Sequence, residues 1–565
     1  MEQPAPPNAS TAALATLHGE VRNGATGQPL PRALVRIEGD ADTGALTDGE
    51  GRFEIPGVPV GPQAIRVAKP GYQDRPYAAG AAFAENVVGP AHNVLVALEM
   101  PELVFTLAPT SSIRGQIDLS TGDPAQGIEL SLLKRSVEDG RAVWKPASAA
   151  KTDAEGAYRF AGLAEGVYAI YTGPAMDSEL AATFVDAGTA ANVARAGYAS
   201  LFYPSARDLA GAARIQLSAG EQAQANLTLT LEPFHTVTAE AILPGGGRYG
   251  SANPAWSGMN LTALVMDAQG HILPYNAEYD QATKTVQAIL PDGVYSLLVT
   301  MTISRFTASM AGNNSTSAAM DAEPFTGSVE FSLAGHALSN LRIPMSPARG
   351  GPVQTTVDRS EPQPSGQNGM VMVILSQAGS QSGGWINDGM VSAYATGSAP
   401  GPLETTYTLP GSYWVHTHVS QKGLCEASFT AGGANLAREP LAVGPSGATA
   451  PLALTLRDGC ARLTLSLPQS MAAQASGEEP FYTVYAVPDF DSTVDVEPVT
   501  LRSSTGGTFT LEDLTPGNYH VYTFPAPVRL EYRNPAALAA LPNPGQAVTL
   551  SPGASSSLVL EAPSR

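Results

Sequence analysis

One phrase recurs five times along this chain of 565 residues and constrains its fold more than any other feature. It is an alternating apolar strand, a short turn, then Gly-x-Tyr running into a second alternating strand. The copies are Gly51-Arg52-Phe53-Glu54-Ile55 turning through Val58 to Gly61; Gly156-Ala157-Tyr158-Arg159-Phe160 turning to Gly166-Val167-Tyr168; Val286 to Leu290 turning to Gly293-Val294-Tyr295; Tyr407-Thr408-Leu409 turning to Gly411-Ser412-Tyr413; and Gly507-Thr508-Phe509-Thr510-Leu511 turning to Gly517-Asn518-Tyr519. The glycines that start the second strand (Gly61, Gly166, Gly293, Gly411, Gly517) lie 105, 127, 118 and 106 residues apart. Such intervals are the size of one two-sheet β-sandwich, ~100 residues.

Copies close on a second recurring phrase, as in Ile215-Gln216-Leu217 leading to Leu227-Thr228-Leu229, and Val548-Thr549-Leu550 leading to Leu558-Val559-Leu560. Strict alternation marks strands with one buried face, and few windows keep a helical apolar period free of Gly or Pro. The chain is therefore expected to be all-β, a tandem array of about five antiparallel Ig-like or prealbumin-like sandwiches. Boundaries fall where a closing strand meets a new opening strand. They divide the chain into a flexible segment 1–15 and sandwiches at 16–110, 111–233, 234–347, 348–458 and 459–565. Thr307 to Ala322 and Ser360 to Asn368 read as long loops, and Asp177 to Ala213 as an Ala-rich excursion with room for a short helix.

Composition excludes several classes. With 51 acidic against 31 basic residues, six of them lysines, the formal charge is -20, which opposes nucleic-acid binding through clustered Lys and Arg. No stretch approaches the ~20 apolar residues of a membrane span, and the start Met1-Glu2-Gln3-Pro4 lacks a secretory leader's basic and apolar regions. Gly (57) and Pro (46) are abundant, as turn-rich folds require, yet stay short of the ~25–30% of disordered chains. The two cysteines, Cys425 and Cys460, either form one bridge, which would place the chain in an oxidising compartment, or remain two buried thiols.

The first copy resembles the carboxypeptidase regulatory-like domain, a prealbumin-like sandwich placed with the carbohydrate-binding-like folds. The residues that carry the resemblance are Leu17-His18-Gly19-Glu20-Val21, Thr26-Gly27-Gln28-Pro29-Leu30-Pro31, Thr47-Asp48-Gly49-Glu50-Gly51-Arg52-Phe53 and Pro70-Gly71-Tyr72. The second copy keeps Gly115, Thr152-Asp153-Ala154-Glu155-Gly156-Ala157-Tyr158 and Gly166-Val167-Tyr168; the last three keep only the Gly-x-Tyr strand start. The first copy departs at Gln63, where the others have Tyr, and so lacks that aromatic anchor. The resemblance implies a secreted, non-catalytic bacterial module of tandem domains.

The chemistry of a zinc carboxypeptidase is not written in this sequence. None of the eight histidines has Glu three residues on, and Gly-x-Ser-x-Gly, phosphate-loop and Cys-x-x-Cys patterns are missing. No enzymatic activity, cofactor or metal is expected. Asp48 with Glu50, or Asp153 with Glu155, supplies too few oxygens for calcium, so both read as hairpin turns.

The most informative constellation is Tyr413-Trp414-Val415-His416-Thr417-His418-Val419. If Tyr413, Val415 and Val419 face the core, Trp414, His416 and His418 share the opposite face. The same register places His520 and Tyr522 outward after Tyr519, and Ala169 and Tyr171 outward after Tyr168. An exposed aromatic beside hydrogen-bonding side chains suits a sugar; a domain contact or covering loop, and a His416/His418 metal pair, are the alternatives. Trp144, Trp256 and Trp385 sit in irregular sequence and read as loop anchors or end-loop recognition residues. The expected function is carbohydrate binding at the cell surface, outside the cell or in the periplasm. The alternatives are a spacer or scaffold contacting other envelope proteins, or an appendage regulating an enzyme on another chain.

Overall fold

The computed structural model describes residues 13–39, 43–74, 92–177, 195–244, 258–268, 270–311, 315–359, 369–378, 393–444, 447, 449–468, 471, 481–502, 507–525 and 527–561. They form a multi-domain, all-β chain; its one described α-helix of a full turn is Pro535–Ala539, capped by Asn534. Five large hydrophobic cores follow one another in sequence, spanning Ala15 to Leu107, Ile113 to Leu229, Val237 to Met345, Val353 to Leu456, and Ala461 to Leu560. Four of them are built from the inward residues of two sheets, and the fourth in sequence from a single nine-stranded sheet. In the first, Leu17, Phe53 and Phe105 of one four-stranded sheet meet Val35, Ile65 and Val94 of the other.

The recurring phrase has one topology throughout. Each sandwich's opening strand pairs antiparallel with the strand before the turn and parallel with the closing strand. Leu14–Asn23 pairs Arg52–Pro59 antiparallel and Leu103–Pro109 parallel. The parallel partner recurs for Ser111–Leu119, Leu231–Ile242, Val353–Asp358 and Ala461–Ser466. One sheet per sandwich is therefore mixed, not purely antiparallel. Since opening and closing strands run the same way, the chain enters a sandwich at one pole and leaves at the other. Connections are short: only Thr110 separates Leu103–Pro109 from Ser111–Leu119, and Thr230 separates Leu227–Leu229 from Leu231–Ile242.

Turn chemistry explains the phrase. Asp48 Oδ1 accepts the N–H groups of Glu50 and Arg52 at 2.9 and 2.8 Å, and Asp153 Oδ1 those of Glu155 and Ala157 at 3.1 and 2.8 Å. These carboxylates close their own hairpins. Gly51 and Gly156 sit at φ 73° and 74°, and a Cβ on Gly51 would lie 2.7 Å from the Val21 carbonyl oxygen, so both conformation and space demand glycine.

The tyrosine of Gly-x-Tyr is equally regular. The hydroxyls of Tyr168, Tyr413 and Tyr519 donate to the carbonyls of Ala164, Leu409 and Thr515, each four residues upstream, at 2.7, 2.9 and 2.7 Å. The bond pins the turn to the strand that follows, as in the tyrosine corner of immunoglobulin-like domains. Gln63, expected to lack the anchor, loses the ring but keeps the bond: its amide donates to the Pro59 carbonyl at 3.1 Å, again four residues back. Tyr168→Phe is expected to destabilise the second sandwich by about 1 kcal/mol, read from its thermal transition; an unchanged transition would remove the corner from the account.

One expectation is corrected, and another is tested only in its described part. Thr307 to Ala322 is not a loop: apart from 312–314 it belongs to a hairpin of two 19-residue strands, Gly293–Ala311 and Ser315–Leu333, in register from Gly293↔Leu333 to Ala311↔Ser315. Residues 307–311 and 315–322 contain neither Pro nor Gly, so ladder bonds between the two strands satisfy the backbone there. The described part of the Asp177-to-Ala213 excursion holds no helix. Its strands Ala175–Met176 and Arg195–Tyr198 form a hairpin added to the edge of Leu231–Ile242 in the next sheet, and Leu201–Phe202 pairs back onto Gly166–Thr172. The segments 360–368 and 178–194, and Trp256 and Trp385, lie outside the described residues.

Candidate functional site

The alternation read for Gly411–Val419 holds. Tyr413 and Val415 belong to the fourth core and Val419 packs against it, while Trp414, His416 and His418 oppose Ser376, Ile374 and Met372 across the sheet. The expected exposure does not hold. His416 is 3% exposed and Trp414 half-buried, and only His418 stays in solvent. What covers the face is a hairpin of the second sandwich together with a loop of the fifth.

The covering hairpin joins Glu129–Glu138 to Arg141–Lys151 through Asp139 and Gly140, at φ 47° and 72°, the two-residue turn that Asp-Gly favours. Its tip reaches the other two sandwiches. The Arg141 guanidinium lies 3.4 Å from the Trp414 ring centroid and donates to the Ala437 carbonyl at 3.1 Å; burial, with Arg533 nearby, lowers its pKa to about 10. Gly140 fits under the Tyr532 ring, where a Cβ would come within 2.6 Å. The Arg533 backbone N–H donates to the Gly140 carbonyl at 2.9 Å, its side chain donates to the Asp139 carbonyl at 3.1 Å, and Arg135 pairs with Glu531 at 2.5 Å.

At the centre, His416 joins all three sandwiches. Its Nδ1 is 2.8 Å from Asp495 Oδ1, and its Nε2 is 2.6 Å from Ser376 Oγ and 3.6 Å from Asp139 Oδ2. Arg533 Nη2 donates to the same Asp495 oxygen at 3.3 Å and to the Val494 carbonyl at 3.1 Å. Beside it Glu426, 4% exposed, accepts the Thr493 N–H at 2.7 Å and the Thr493 hydroxyl; that hydroxyl also meets Thr417 Oγ1 at 2.6 Å, and Thr417 N–H donates to the Thr493 carbonyl at 3.0 Å. Burial holds the Glu426 carboxyl above the ordinary carboxylate range. Burial and the neighbouring Asp495 raise Asp139, against the opposing pull of His416 and Arg533.

Two chemistries suggest themselves, and the distances argue against both. Ser376, His416 and Asp495 have the connectivity of a hydrolytic triad, but Ser376 lies within the paired strand Val371–Gln377, and the Asp139 carboxylate beside Nε2 would repel the oxyanion that such a mechanism must stabilise. Asp139, His416 and Asp495 offer ligand atoms within 4.8 Å of one another. Yet the Nδ1 that faces Asp495 is at hydrogen-bond distance, and Arg533 already supplies the positive charge. The group is a hydrogen-bonded clamp.

The other candidates, His520 excepted, are corrected in the same way. Tyr522, 6% exposed, lies in a second small core of the fifth sandwich with Tyr485, Val487, Leu530 and Tyr532. His520 is partly exposed and its Nδ1 bonds Asp489 at 2.7 Å. Ala169 and Tyr171, also expected outside, lie under Phe202, Leu209 and Ala212 of the excursion. Tyr522, Ala169 and Tyr171 are thus covered by other stretches of chain, which strand alternation cannot register, whereas His520 keeps its outward position. Trp144 is half-buried beneath the Arg214 guanidinium, 4.5 Å from its ring centroid. Cys425 and Cys460 are bonded, with Cα atoms 5.9 Å apart. Cys460 lies in the three-residue link between Leu452–Arg457 and Ala461–Ser466, so the bridge staples that link to the fourth sandwich.

The Thr-Asp hairpin of the first sandwich has a counterpart among known families. Residues 16–88 match the carboxypeptidase regulatory-like domain. The regulatory-like match covers the first sandwich alone. No curated protein matches the sequence significantly. Among solved structures, the TIE protein of Bacillus anthracis is 12% identical, with 73% of this chain and 70% of that one covered at a TM-score of 0.17. A streptococcal ancillary pilin is 9% identical, with 59% and 99% covered and a TM-score of 0.17. The major pilin subunit of Bacillus cereus is 10% identical, with 80% and 99% covered and a TM-score of 0.12. At such scores nothing about assembly or ligand passes from these structures to this chain.

Proposed function

We propose that the chain is a non-catalytic, extracytoplasmic scaffold of five sandwiches, divided at 16–110, 111–233, 234–347, 348–458 and 459–565, whose second, fourth and fifth members are locked into one rigid unit. The observation that carries this reading is the occupation of the Trp414–His416 face by the chain's own Asp139, Gly140 and Arg141. Hydrogen-bonded polar groups buried at such a junction, His416 and Glu426, favour one geometry. A flexible linker needs none of them. The disulfide supports an oxidising compartment, and envelope proteins are the partners such a scaffold would hold in place.

Carbohydrate binding at Trp414 would require displacing the Arg141 guanidinium from the ring. Insoluble-polysaccharide pull-down and glycan arrays with the whole chain test the choice: no specific binding is expected. Binding that is lost in Trp414→Ala would replace the scaffold reading with the carbohydrate one.

A further inference from the structure

We propose that the contact of the second sandwich's Asp139–Gly140 turn with His416 and Asp495 is a proton-linked latch, tightest in acid and loosened as the pH rises. This rests on the reading of the junction as one rigid unit. The groups that meet there are unbalanced. The turn brings Asp139, with Glu138 and Arg141 beside it; the fifth sandwich brings Asp495 and Arg533; the fourth brings His416, Ser376 and Glu426. Glu138 is paired with Lys145. That leaves three carboxyls facing two guanidiniums, with one imidazole between Asp139 and Asp495.

Docking brings Asp139 toward Asp495 and partly desolvates it, and both effects favour its protonated form, against the opposing attraction of His416 and Arg533. A carboxyl raised in the docked state binds its proton more tightly there, so its contribution is complete in acid and is lost as the pH rises through the docked-state value. Glu426 is raised by burial and acts in the same direction. The two carboxyls whose direction is set, Asp139 and Glu426, therefore favour docking in acid, and Arg141, lowered to about 10, works the other way only at strongly basic pH.

The Arg533 amide reports docking directly, because its N–H is bonded to the Gly140 carbonyl. Hydrogen exchange of that amide in the full chain, corrected for the intrinsic pH dependence of exchange, gives the open-to-docked ratio at each pH. Protection is expected to fall roughly tenfold or more as the pH rises from about 4, the ordinary carboxylate range, to about 8, while amides within Ser111–Leu119 keep theirs. In Asp139→Asn the fall should shrink markedly; asparagine accepts the left-handed backbone of this exposed turn, so the variant keeps its fold. Adding Glu426→Gln should flatten what remains. Protection that is high at every pH would overturn the latch and leave the rigid unit standing, as would an Asp139→Asn profile identical to that of the native chain. An amide unprotected at every pH would overturn both.

Discussion

Replacing Glu426 with alanine is expected to cost about 3 kcal/mol, since it strands the buried N–H of Thr493 and removes a charge-assisted acceptor from its hydroxyl, losses of roughly 1–3 kcal/mol each. No local unfolding is required for the loss to be felt: Glu426 lies on the strand Cys425–Ala431 and Thr493 on a loop of the fifth sandwich, so the pair couples two domains. Calorimetry should show the transitions of the fourth and fifth sandwiches both lowered, with that of the first unmoved. The native carboxyl also sets a pH dependence. Burial raises its folded-state pKa above the unfolded one, so its stabilising contribution is complete below the ordinary glutamate range and declines as the pH rises through the elevated folded value. Glu426→Gln keeps an acceptor for Thr493 without a titrating proton, and its stability should vary less with pH than that of the native chain. A glutamine variant with the native pH profile would place the dependence elsewhere.

Opening the Cys425–Cys460 bridge has a comparable expected effect by a different route. The bonded residues are 35 apart in sequence, and closing a loop of that size is worth roughly 3–4 kcal/mol in the chain-entropy description. Because Cys460 sits in the link between two sandwiches, Cys425→Ser with Cys460→Ser should lower the fourth transition and also uncouple it from the fifth. A bridge within a single core would do only the first. The measurement is calorimetry of the double variant beside the native chain. A shifted but still coupled pair of transitions would show that the Glu426–Thr493 and His416–Asp495 contacts hold the two sandwiches together without the bridge.

What the sequence reveals here depends on how far each interaction reaches along the chain. Asp48, Gly51 and Phe53 act within six residues, and their turn chemistry and alternation are legible directly. Tyr168 and Tyr519 bond four residues back, close enough that the repeated Gly-x-Tyr registers them; Gln63 shows that the repeated element is the bond and not the ring. Strand direction is less accessible. The parallel pairing of Leu14–Asn23 with Leu103–Pro109 joins residues ~80 apart, and alternation is the same for either direction.

The junction was the least legible part. Period two correctly puts Trp414 and His416 on one face, but the residues that cover them, Asp139, Arg141 and Asp495, come from segments separated by hundreds of residues or by a domain boundary. Asp139–Gly140 carries a hairpin signal in the sequence, yet nothing local says where the hairpin's tip docks. Glu426 and Thr493 belong to no motif at all.

The central claim is that the second and fifth sandwiches are held at one fixed separation by the hairpin tip. Spin labels at the exposed positions of Glu155→Cys and Thr510→Cys, with the native bridge left intact, measure that separation in the full chain at mildly acidic pH. The account expects a single narrow distance distribution. A broad distribution, in a chain whose thermal transitions are otherwise native, would contradict it.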